Sequence, residues 1–131
     1  MRAITVKQPW ASLIMHCGKD VENRSWSTSF RGRVAIHSSK KTDAYKWLSA
    51  NVIAQKEDES IPLDLPNGCV LGTVEIYDCV KSCKSPWFMG EYGFLLRDPK
   101  ILNTPIPCKG KLGFWQLPDD IAEQIEKEIG G

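Results

Sequence analysis

Apolar and polar positions alternate over residues 2–6 (RAITV), the period of a half-buried strand. At Gln8-Pro9 the pattern changes to apolar residues at Trp10, Leu13, Ile14 and Cys17, the spacing of one helix face. Proline suits the first helical turn, and Gly18 supplies a C-terminal stop. Residues 21–26 read as a short extended segment, and Arg31-Gly32-Arg33 leads into a second strand, VAIHSS. Lys40 to about Gln55 is predicted helical, with Ala44, Trp47, Leu48 and Ile53 near one face. The charged KEDES and the proline-rich IPLDLPNG then make a loop. CVLGTVEIYDCV is the strongest strand of the chain, and Gly72 inside it signals a bulge or a close backbone approach. KSCKSPWFMGE is irregular, placing Trp87 on a rim loop. EYGFLLRD and ILNTPIPC flank Asp98-Pro99 and are predicted to pair as a hairpin. KGKLGFWQL is read as a last strand, and a helix follows over 119–131, with acids at its N-terminal end, where the helix dipole favours them.

This order predicts an α+β domain: a small, twisted β-barrel of five to six mostly antiparallel strands with helices packed over its openings. The 131 residues show no internal repeat or linker, so one domain over 1–131 is expected, as a monomer rather than an obligate oligomer. No run is long and apolar enough to span a membrane, and MRAITVKQPW lacks a signal-peptide core. The expected location is the cytoplasm, or the nucleus in a eukaryote. Five cysteines, at 17, 69, 79, 83 and 108, are too widely spaced for a disulfide framework. Cys79 and Cys83 form the only close pair, and neither His16 nor His37 stands beside them, so no metal or other cofactor is expected.

The formal net charge of +1 conceals segregation. Residues 1–46 carry nine Lys/Arg against three Asp/Glu, and residues 81–118 carry six against two. Residues 47–80 carry one against six, and residues 119–131 one against five. The basic blocks also hold most of the glycines and aromatics, the composition of a surface that meets a polyanion.

The most concentrated chemistry lies in GKDVENRSW, residues 18–26. Along an extended segment Glu22, Arg24 and Trp26 project to one face and Val21, Asn23 and Ser25 to the other. Lys19, at the helix-to-strand junction, reaches the same side as Glu22. A carboxylate among Lys7, Lys19, Arg24, Arg31 and Arg33 is suited to orient cations; the competing reading is an inter-strand ion pair with Trp26 packed on the core.

Five blocks in order, KQPWASLI, GKDVENRSW, RGRVAIHSSKK, GCVLGTVEIYDCV and PIPCKGKLGFWQL, resemble the ASCH (activating-signal-cointegrator homology) domain of the PUA-like superfamily. Of the family hallmark Gly-x-Lys-x-x-Glu-x-Arg, Lys19, Glu22 and Arg24 stand at matching positions, with Gly18 directly before the lysine. The resemblance implies a PUA-like barrel with a cleft beside the first helix, lined by that motif and proposed to bind RNA or another nucleic acid. Lys and Arg side chains suit phosphate, and tryptophans at 10, 26, 87 or 115 suit stacking on an unpaired base. Trp47 and Trp115 are expected in the core. The leading expectation is therefore a nucleic-acid-binding module contacting RNA through Lys7, Trp10, Lys19, Glu22, Arg24, Trp26, Arg31 and Arg33.

The alternative is a small hydrolase acting on a modified nucleoside or on RNA. Some ASCH-like proteins remove the acetyl group of N4-acetylcytidine with a lysine, a threonine and a glutamate. Lys19 and Arg24 match their positions, but Glu22 stands where their threonine nucleophile would be, so covalent attack by that route is not expected. Lys19 with Glu22 remains a pair able to activate water, and His37 is a weaker candidate base for ribonuclease chemistry.

Overall fold

The computed structural model describes residues 1–42 and 65–130. Its elements run β1 (Arg2–Gln8), α1 (Trp10–His16), β2 (Val21–Arg24), β3 (Gly32–Thr42), β4 (Cys69–Val80), β5 (Tyr92–Pro107), β6 (Phe114–Gln116) and α2 (Asp119–Ile129). The six strands form one sheet in the order β2-β5-β4-β3-β1-β6. Every neighbouring pair is antiparallel except β1 and β3, so the expected α+β architecture is met with a single parallel pairing.

Period-two alternation divides the strands between two apolar cores. Ile4, Val6, Val34, Ile36 and Leu71 point to one face, where Ala11, Ile14 and Met15 of α1 cover them. Ala3, Ala35 and Val70, each next in sequence to one of those residues, point to the other, under Ile121 and Ile125 of α2. Burial on both faces explains why β3 and β4 read as near-continuous apolar runs. In α2 the buried Ile121 and Ile125 stand four residues apart, with Glu123, Glu126 and Glu128 outward.

The sheet curls into a half-barrel whose end strands, β2 and β6, do not hydrogen-bond to one another. Side chains close the gap. Trp26, just past β2, meets Phe114 of β6 edge-on at 5.7 Å and Phe94 of β5 at 5.2 Å. Arg24 of β2 donates from Nη2 to the Thr5 carbonyl of β1 at 2.8 Å.

Helix α1 begins on a side chain from the strand before it. Gln8, fully buried, accepts the Ser12 N–H on Oε1 at 3.0 Å and donates from Nε2 to Ser12 Oγ and the Pro66 carbonyl, each at 2.8 Å. Gly18 (φ +70°) ends the helix in the left-handed region, and the Lys19 N–H returns to the Leu13 carbonyl at 3.1 Å. That turn delivers Lys19 to the inside of the half-barrel.

Four sequence expectations change. The Asp98-Pro99 hairpin is not formed: Tyr92–Pro107 is one strand that pairs along β4, with Asp98 (φ +54°) at an irregularity between the Arg97–Glu75 and Lys100–Thr73 pairs. Strand β2 covers β5 only as far as Leu95, so Pro99 falls where β5 is an edge strand and its missing N–H leaves no ladder bond unmade. The last strand is only Phe114–Gln116, because KGKLG, with Gly110 and Gly113, forms a loop. Trp87 is 2% exposed, packed with Leu13, Cys17 and Val21, rather than on a rim. Lys40–Thr42, read as the start of a helix, belong to β3; the remainder of that expected helix lies outside the described residues.

Candidate functional site

Between the two unpaired sheet edges opens a cleft of about 710 Å³. It is within the size range of ordinary ligand sites. One bank comes from β1 and the β5–β6 loop, with Thr5, Lys7, Lys111 and Leu112. The other comes from β2 and the β4–β5 loop, with Glu22, Arg24, Met89 and Glu91; Trp10 of α1 and Lys19 line it as well.

The floor is an ion-pair relay. Lys19, 3% exposed, donates to the Val21 carbonyl and lies 3.5 Å from Glu22 Oε1. Glu22, 7% exposed, receives Arg24 Nε–H on Oε2 at 2.8 Å, with Arg24 Nη2 at the same distance. The alternation of β2 puts Glu22 and Arg24 on one side of the strand, as the sequence predicts. Arg24 Nη1 has no partner among the described residues. One carboxylate thus holds two cations, and the Glu22–Arg24 pair with Trp26 packed on the core is also the arrangement of the competing ion-pair reading. Burial pushes the Lys19 ammonium below its ordinary value of 10.5; Glu22 opposes that fall and Arg24 adds to it. Trp10 brings its ring within 5.5 Å of Lys19 Nζ. At the mouth, Lys7 and Lys111 are exposed and make no ion pair with any described residue.

Five of the residues singled out in the sequence, Lys7, Trp10, Lys19, Glu22 and Arg24, therefore meet in one cleft. Three others lie outside it. Trp26 packs edge-on between Phe94 and Phe114 and supports the site from the core side, 5.9 Å from the Arg24 guanidinium. Arg31 pairs with Asp78 at 3.6 Å and bonds the Thr28 and Phe30 carbonyls. Arg33 pairs with Asp98 at 2.6 Å and also bonds Thr73 Oγ1. The spacing RGR set both arginines close to the motif in sequence, but the β3–β4–β5 surface takes them to the acids of neighbouring strands.

His37 is 2% exposed and both ring nitrogens are engaged. Nε2 donates to the Cys108 carbonyl at 2.6 Å, which leaves Nδ1 to accept from Thr5 Oγ1 at 3.2 Å. Trp115 Nε1 in turn donates to Thr5 Oγ1 at 3.1 Å. The ring anchors the β5–β6 loop and presents no nitrogen to the cleft. Burial holds the His37 pKa below its ordinary 6.5, against the opposing effect of the bond to Cys108. Because the folded value lies below the unfolded one, this contribution to stability is present above pH 6.5 and is lost as the pH falls from 6.5 towards the folded pKa. Denaturation is expected to show lower stability at pH 5.5 than at pH 7.5, with a smaller loss in His37→Gln. Equal pH dependence in the two proteins would overturn that assignment.

Lys111, Leu112 and Met89 are among the lining residues that sequence reasoning missed. The signal for the first two was the glycine on either side of them, Gly110 and Gly113, the latter at φ +63°.

The geometry now meets its relatives. The sequence profile of the ASCH domain matches residues 4–97, which contain most of β1, all of α1 and β2, and the whole Lys19–Glu22–Arg24 relay. The chain belongs to the ASCH domain family. Across 96% of its length this ASCH domain is 30% identical to Activating signal cointegrator 1 of Homo sapiens and 29% identical to that of Mus musculus. It spans 24% of each of those proteins. The β5–β6 loop that carries Lys111 and Leu112 lies beyond the profile match. Among the described residues, no helix of the ASCH domain is long and apolar enough to cross a membrane.

Proposed function

We propose that this ASCH domain is a nucleic-acid-binding module that takes a single strand, RNA in particular, into the cleft between its sheet edges. The observation that carries the reading is the convergence of Lys19, Arg24 and Trp10 on the floor with the unpaired Lys7 and Lys111 at the mouth. Exposed lysines suit phosphates along a backbone, and the buried relay gives the floor a fixed donor geometry. Glu22 acts here by aiming the cations rather than by meeting phosphate itself. Arg31 and Arg33, engaged with Asp78 and Asp98 on the β3–β4–β5 surface, enter this reading only as contributors to the positive field.

The test is retention of a short single-stranded RNA over a range of salt concentrations. Each of Lys7→Ala and Lys111→Ala is expected to weaken binding and to flatten the plot of log affinity against log salt by about 0.7, the value for one phosphate contact on a single strand. An unchanged slope in both variants would remove the cleft mouth from the binding surface. The second reading, hydrolysis of a modified nucleoside, draws on Lys19, whose depressed pKa and contact with Glu22 are features of a group that activates water. Incubating the same protein with acylated nucleosides separates the two: product formation lost in Lys19→Met favours the hydrolase, and RNA retention without product favours the binding module.

A further inference from the structure

Four large apolar side chains are exposed among the described residues: Tyr77, Met89, Ile101 and Leu112. Two of them, Met89 and Leu112, line the same cleft. They come from different loops on its two banks, and both loops are pinned where they leave the sheet. Asn23 of β2 donates from Nδ2 to the Trp87 carbonyl and accepts the Met89 N–H on Oδ1, each at 2.9 Å. Trp87 between them is buried, so the backbone that carries Met89 is held from both sides. On the other bank Gly110 lies so close to His37 and Thr5 that an added Cβ would fall 2.7 Å from the imidazole and 2.8 Å from Thr5 Oγ1. Two residues further on, Leu112 is 98% exposed. A leucine left almost wholly in water beside a lysine, on a loop anchored at its root, is positioned for something that covers it.

We propose that Met89 and Leu112 are the two jaws of an apolar clamp that closes on an unpaired nucleobase whose phosphates lie on Lys7 and Lys111. The inference rests on the single-strand reading of the cleft and adds the group that the cleft grips. A base is planar and apolar on both faces, and its exclusion from water rewards apolar contact without regard to sequence. The cations at the mouth complement the charge on either side of such a base, whereas an apolar protein segment would leave Lys7 and Lys111 uncompensated. The clamp therefore confers preference for bases over bare phosphate chain, and the lysines confer affinity for the chain.

Leu112→Ser and Met89→Ser are tested against two probes of equal length, a single-stranded RNA and an oligonucleotide without bases. Both side chains are exposed, so the fold is expected to survive, and a far-UV spectrum and unfolding midpoint check it. The unmodified protein is expected to prefer the RNA. Each substitution is expected to weaken RNA binding about tenfold, the range for uncovering one apolar side chain, with the abasic probe and the salt slope unchanged. Equal affinity of the unmodified protein for the two probes would overturn the clamp while leaving the phosphate-tracking cleft intact. RNA binding unchanged in both variants would overturn it as well. Retention of neither probe by the unmodified protein would instead remove the nucleic-acid reading on which the clamp rests.

Discussion

Replacing Glu22 with alanine is expected to destabilise the domain by about 3–5 kcal/mol, the usual consequence of removing one partner from a buried ion pair. Glu22 stands between Lys19 and Arg24, whose side chains are 1% and 20% exposed, and its loss leaves two like charges facing one another without their anion. The unfolded chain feels none of this, because there both cations are hydrated. The pH dependence is the more telling readout. The folded pKa of Lys19 already lies below 10.5, and without Glu22 it falls further, since the neighbouring carboxylate is what raises it. Between that lowered value and 10.5 the unfolded chain binds a proton that the folded one has released, so stability rises with pH. The penalty of Glu22→Ala is therefore expected to shrink as the pH approaches 10.5, where a neutral lysine needs no counter-charge. Urea denaturation of both proteins at pH 7 and pH 10 measures it. A pH-independent loss below about 1 kcal/mol, the size found for exposed pairs, would mean that water in the cleft screens the relay.

Gly72→Ala is expected to be the most damaging single-methyl addition in the sheet. A Cβ there would sit 2.2 Å from the Lys100 carbonyl oxygen, 2.7 Å from Met15 Cε and 3.1 Å from Ile101 Cα. The first obstacle is backbone, so the side chain of Met15 cannot relieve it by moving. The sheet has to part between β4 and β5, which places the loss at or beyond the upper end of the roughly 1–3 kcal/mol seen for overpacked cores. A drop in the thermal midpoint that Met15→Ala fails to restore is the expected result. A midpoint close to that of the unsubstituted protein would mean that β5 yields easily at its Asp98 irregularity.

Much of this was legible in the chain because local periodicity and tertiary position agree. The run Cys69–Val80 reads as a strand with the ends it has in the fold, and Gly72 inside it signals a bulge or a close approach, both of which the β4–β5 pairing shows. Glu22 and Arg24 fell on one side of a strand because alternation alone requires it. Three of the failures share one cause, the closure of the sheet, which no local pattern encodes. Asp98-Pro99 carries every mark of a turn, yet it lies where β2 has ended and β5 tolerates a proline. Arg31 and Arg33 neighbour the motif in sequence, but the curl of the sheet turns them towards Asp78 and Asp98 instead. Trp26 shares the parity of Glu22 and Arg24, but the chain leaves β2 at Arg24, and its ring follows the aromatic seam inward. The Lys111–Leu112 bank was hidden for the opposite reason: apolar residues after KGK extended the strand pattern backwards over a loop.

The half-barrel is joined by rings and a guanidinium where a full barrel would be joined by a ladder of amides. That joint also lies beside the cleft, where the proposed ligand would sit with one bank on each side. A molecule that touches both banks becomes a cross-brace, adding to the folded state a link that the backbone never made. Mass action then ties occupancy to cohesion: stabilisation grows as RT ln(1 + [L]/Kd). The empty domain is the least cohesive form of itself, and melting temperature becomes a gauge of what the cleft holds.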